Sequence, residues 1–114
     1  MTASNQLLCS VDDIPEDHCK GFTINYQQRD LDIFALKRGG KIFVYRNHCP
    51  HTGANLNWQP DTFMDYDNLY IQCAIHGARF EVETGLCVWG PCVNQSLIKM
   101  SFRILGNNIY LEKP

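Results

Sequence analysis

The sequence predicts an all-β domain, and three observations carry that prediction. Short runs rich in β-branched and aromatic residues recur along the chain, several of them alternating with period two. Turn signals built on Gly, Asn and Pro separate these runs. No apolar stripe of helical period extends over ten or more residues.

The clearest pair of strands spans 31–37 (Leu-Asp-Ile-Phe-Ala-Leu-Lys) and 41–46 (Lys-Ile-Phe-Val-Tyr-Arg). Arg38-Gly39-Gly40 lies between them, so the pair reads as a hairpin. Further strands are expected over 69–73, 78–82, 86–89, 98–104 and 108–111. Glu83-Thr84-Gly85, Gly90-Pro91 and Gly106-Asn107-Asn108 supply the turns. Near the start, Ser10 can cap one short helical turn that Pro15 limits. No strand is predicted before residue 31, and no repeat or linker is visible, so residues 1–114 are expected to form one domain.

The composition is that of an ordinary globular chain: 114 residues, 45% hydrophobic and 19% charged. A formal net charge of -2 leaves no basic excess and argues against nucleic acid as a partner. Acidic residues gather at Asp12, Asp13, Glu16 and Asp17, and again at Asp61, Asp65 and Asp67. They read either as solvated loops or as a docking patch for a basic redox partner. The first residues lack the basic and apolar segments of an export signal, and the longest purely apolar run, 42–45, is too short to span a bilayer. A cytoplasmic location, or an organelle matrix, without membrane attachment is therefore expected. Six cysteines in such a compartment point to metal binding rather than to disulfides.

Chemistry concentrates in two loops at strand ends. The first, over about 47–56, contains Cys49-x-His51; the second, over about 73–80, contains Cys73-x-x-His76. Each loop offers one thiolate and one imidazole, a donor set that suits zinc or an iron-sulfur cluster. Gly53 and Gly77 follow the histidines and let the backbone approach an inorganic sulfide closely. A Cys₂His₂ zinc site is the alternative, although zinc knuckles favour paired cysteines within one loop.

Cys49-Pro50-His51-Thr52-Gly53-Ala54 and Cys73-Ala74-Ile75-His76-Gly77-Ala78 together resemble the two box motifs of the Rieske family. Gly85 and Gly90-Pro91 fall where that family has a hairpin turn and a proline loop, here about 89–92. The resemblance runs from about residue 31 to 111 and implies a small Rieske-type domain of short antiparallel sheets with a two-loop cluster-binding subdomain. It implies one 2Fe-2S cluster, with Cys49 and Cys73 on one iron and His51 and His76 on the other. The expected role is a one-electron carrier, not an enzyme, that takes electrons from a reductase and passes them to an oxygenase or similar acceptor. The alternatives are a small subunit or regulatory component of a larger, nitrite-reductase-like reductase, and a cluster-based redox sensor. Two of the four histidines belong to the cluster motif, and nothing in the sequence supplies a second, mononuclear iron site with two histidines and a carboxylate, so a stand-alone oxygenase is not expected.

Departures from the family pattern bear on the potential. Its high-potential members carry an extra cysteine in each loop and join the two in a disulfide. The matching positions here are Ala54 and Ile75. Those members also hydrogen-bond the cluster through a serine and a tyrosine, where this chain has Ala78 and Phe80. The expected potential is therefore near the low end of the Rieske range, on the order of -150 mV. Cys9 and Cys19 are expected as buried apolar residues or thiols; Cys87 and Cys92 flank the Trp89-Gly90-Pro91 turn and are expected as thiols, with a disulfide between them as the alternative that a reducing compartment disfavours. His18 and His48 are expected at the surface or behind the ligands, and Trp58 and Trp89 as packing around the cluster.

Overall fold

The computed structural model describes residues 5–26, 28–50, 55–56, 61–74 and 77–112, with backbone alone for Asn5 and Tyr26. Its strands are β1 (Asn5–Ser10), β2 (Cys19–Tyr26), β3 (Arg29–Arg38), β4 (Lys41–Arg46), β5 (Ile71–Gln72), β6 (Arg79–Phe80), β7 (Cys87–Trp89), β8 (Phe102–Leu105) and β9 (Asn108–Glu112). They form three antiparallel sheets, ordered β1-β9-β8, β2-β3-β4 and β5-β6-β7. No α-helix occurs among the described residues; one 3-10 turn, Val11–Asp13, follows β1. Ser10 caps it: the Asp12 N–H donates to Ser10 Oγ at 3.3 Å, and the Ser10 N–H donates to Asp13 Oδ2 at 3.0 Å.

The period of two in β3 and β4 explains how these sheets stack. Successive side chains on a strand point to opposite faces. Ile33 and Ala35 of β3, with Ile42 and Val44 of β4, join a core that includes Ile109 and Leu111 of β9. Phe34 and Leu36 of β3, with Tyr45 of β4, join a second core that includes Phe63, Phe80 and Val82. The sheet β2-β3-β4 is thus apolar on both faces, with one core toward the terminal strands and another toward the small sheet. Phe34 stacks on Phe63, their ring centroids 4.2 Å apart, and Tyr45 donates its hydroxyl to the Val82 carbonyl at 2.5 Å.

The predicted hairpin is present, with Arg38, expected in the turn, instead closing the strand opposite Lys41 and leaving Gly39-Gly40 as the turn. Gly39 and Gly40 have φ of 62° and 73°, the left-handed conformations that a two-residue turn of this hand requires. Glu16 accepts from both glycine N–H groups, and Asp17 pairs with Arg38 at 3.0 Å. In the second acidic group, Asp61 Oδ1 accepts from the Gly21 N–H at 2.7 Å, and the buried Asp65 accepts from the Leu69 and Tyr70 N–H groups. Much of the acidic clustering is therefore spent on bracing turns.

Strand limits differ from expectation in two ways. The expected strands at 69–73, 78–82 and 86–89 contract to two or three paired residues each, because their ends turn into loops. The strand expected over 98–104 begins only at Phe102; before it, Arg46 N–H donates to the Ile98 carbonyl as part of an isolated bridge. β1 and β2 lie in the segment where no strand was predicted. β1 has almost no β-branched content, and β2 contains Lys20-Gly21, so both depend on pairing with β9 and β3.

Candidate metal centre

Two loops leave the sheets toward the same core. The first follows β4 and carries Cys49; the second follows β5 and opens with Cys73. Both cysteines are fully buried, within the core that also holds Ala78, Phe80, Cys87 and Cys92. The loops are tied directly to each other, since the Ala74 N–H donates to the Leu56 carbonyl at 2.7 Å. They are also tied to the scaffold. Asn47 is buried, and its Oδ1 accepts from the Leu56 N–H at 2.6 Å while its own N–H donates to the Asp32 carbonyl at 2.8 Å. Asp32 accepts further bonds from Thr23 Oγ1 at 2.7 Å and Asn55 Nδ2 at 3.0 Å. These two hydrogen bonds hold the Asp32 carboxyl below its ordinary range.

The second loop closes on itself. Cys73 N–H donates to the Ala78 carbonyl, and Gly77 N–H donates back to the Cys73 carbonyl, each at 2.9 Å. The proline loop lies against it. A Cβ at Gly90 would stand 2.8 Å from Ala78 Cα, and φ there is 105°, so the approach requires glycine. Trp89 is 58% exposed, with the Arg79 guanidinium 5.4 Å over its ring. It lies over the edge of the site and is not buried in the core.

Of the four expected ligands, Cys49 and Cys73 are thus brought to one core on adjoining loops. His51 and His76 lie outside the described residues, as do Ala54, Ile75, Gly53 and Trp58. No group of three or more His, Cys, Asp or Glu side chains arranged to hold a metal occurs among the described residues. The donor chemistry nonetheless fits an iron-sulfur group: two thiols withdrawn from water on adjoining loops, with the proline loop's Gly90 packed closely against Ala78 of the second. Cys9 is half-buried and Cys19 buried, and burial raises both thiols, that of Cys19 to about 12. His18 is exposed, its Nδ1 2.9 Å from the Glu16 carbonyl. Sequence reasoning missed Asn47 and Asp32; the available signal was a polar residue next to a cysteine motif, which a buried loop needs as a backbone partner.

The Rieske [2Fe-2S] domain family matches residues 4–106. The chain belongs to this family. The Rieske assignment implies a 2Fe-2S cluster. The chain is 27% identical over 100 residues to the ferredoxin component of a naphthalene 1,2-dioxygenase system from Pseudomonas aeruginosa, a match covering 88% of this chain and 86% of that one. It is 40% identical over 79 residues to a cholesterol 7-desaturase from Caenorhabditis elegans, covering 63% of this chain but 18% of the desaturase. Among solved structures, the ferredoxin of carbazole 1,9a-dioxygenase from Nocardioides aromaticivorans IC177 has the same fold. The TM-score is 0.75 at 20% identity, with 98% of this chain and all of that one covered. No helix among the described residues is long and apolar enough to cross a membrane.

Proposed function

We propose that this Rieske domain is a one-electron carrier between a reductase and an oxygenase, working in the cytoplasm as a single cluster-binding unit over its whole length. Cys49 and Cys73 hold the buried iron, and His51 and His76 hold the outer one. The observation that carries this reading is the pair of fully buried cysteines on two loops joined through Ala74 and Leu56. The bound cluster supplies one-electron chemistry. The protein's part is to exclude water from the thiolate side and to fix the first loop through Asn47 and Asp32, with the second loop joined to it through Ala74 and Leu56. Support for the partners comes from the extensive match to a dioxygenase-system ferredoxin.

Protein purified without oxygen is expected to contain about two iron and two acid-labile sulfide per chain. Cys49→Ser and Cys73→Ser should each lose the cluster. One zinc per chain without sulfide, or a normal spectrum in Cys73→Ser, overturns the ligand assignment. For the carrier role, a flavin-dependent reductase should reduce the protein, and an oxygenase should then reoxidise it.

The 40% identity with the desaturase favours a second reading, in which this domain feeds electrons to a catalytic iron within a larger enzyme. Sterol turnover that requires this domain at fixed stoichiometry with a catalytic subunit, and no exchange among separate oxygenases, would favour it.

A further inference from the structure

Two cysteines outside the proposed ligand set stand side by side at the edge of the site. Cys87 ends the small sheet's pairing with β6, and Cys92 follows the proline loop; both are buried. Cys92 Sγ donates to Cys87 Sγ at 3.2 Å. The segment between them is already drawn into a ring. The Cys87 N–H donates to the Gln95 carbonyl at 2.8 Å, and the Gln95 N–H donates to the Cys92 carbonyl at 2.9 Å. An S–S bond of about 2.05 Å requires the sulfurs to close by roughly 1 Å, a movement within reach of side-chain torsion. The ring also bears on the metal site, because Gly90 lies directly against Ala78 of the second loop.

We propose that Cys87 and Cys92 form a reversible dithiol–disulfide pair, whose oxidation locks the proline loop against the second cluster loop. The oxidant is a low-molecular-weight disulfide. One cysteine thiolate attacks it, its S–S bond breaks and one small thiol leaves. The second cysteine thiolate then attacks the mixed disulfide, forming the Cys87–Cys92 bond and releasing the other small thiol. The two cysteines lose two electrons and two protons, and the two released thiols carry both. A reducing dithiol reverses the reaction.

The sequence provides a clean readout. Trypsin cuts after Arg79 and Lys99 and nowhere between, and the resulting peptide contains only Cys87 and Cys92. Cluster-loaded protein is equilibrated without oxygen in glutathione buffers of increasing oxidised fraction, then alkylated and digested. The peptide should pass from two alkyl labels to none, with the loss of two hydrogens, while the cluster spectrum persists. Release of iron to a chelator should slow several-fold in the oxidised form. Cys92→Ala should keep the cluster and abolish both effects. Two labels at every ratio, or a stable glutathione adduct on either cysteine, overturns the pairing; an unchanged or faster iron release overturns the bracing. The peptide readout is independent of the cluster, and the chelator readout rests on the Rieske reading, so failure of one is separable from failure of the other.

Discussion

Asp32 makes three links: to β2 through Thr23, to the first cluster loop through Asn55, and to the same loop again through its own carbonyl and Asn47. Its carboxyl pKa is lowered in the folded protein, so folding favours the ionised form. That contribution is fully present above the ordinary value of 3.8 and is lost as pH falls through the lowered folded value. Asp32→Asn should therefore weaken the protein near neutral pH and flatten this part of the acid limb, measurable as cluster absorbance during acid titration. Two other residues bear on potential. Ala78 and Phe80 are buried near Cys73 and offer no hydroxyl. Ala78→Ser should raise the midpoint in protein-film voltammetry by roughly some tens of mV, because a hydrogen bond to sulfur favours the electron-rich reduced state. A wild-type value above about +200 mV would contradict the low-potential expectation. At this scale the cysteine motifs were legible because donor type and spacing are local properties. Asn47 and Asp32 were not, because their roles depend on which strand end meets which loop.

Among the elements, β3 and β4 carry the argument. Their side chains alternate between two cores, which is why the run Leu31-Asp32-Ile33-Phe34-Ala35-Leu36 reads so clearly as a strand. The Gly39-Gly40 turn was equally readable, since positive φ at both positions has few sequence solutions. β1 escaped notice because its partner, β9, lies far along the chain; β2 pairs with the adjacent β3, Tyr26 opposite Arg29, but Lys20-Gly21 interrupts its strand pattern. The short strands β5, β6 and β7 were over-extended for the converse reason: apolar residues there serve loops around the site rather than ladders. Tyr45 joins β4 to the segment after β6 through its bond to the Val82 carbonyl. Tyr45→Phe leaves that buried acceptor without its donor and should cost about 1–3 kcal/mol in denaturant unfolding. Burial also lifts the Tyr45 phenol to about 12. The unfolded phenol loses its proton near pH 10, so this residue's contribution is present below that point and fades as pH rises toward 12.

The whole molecule is divided by its central sheet, with the cysteines 49, 73, 87 and 92 in one core and Ile109 and Leu111 in the other. Leu111→Ala should cost about 2–5 kcal/mol, lowering the thermal midpoint while leaving the visible spectrum of the folded protein unchanged. A matching loss of colour at low temperature would show that the two cores are not separable. The terminal strands have a different significance. Asn5 of β1 is paired with Glu112 of β9, so the first and last strands lie side by side in one sheet. A unit whose two ends lie side by side can be spliced between two residues of a host protein without stretching the host.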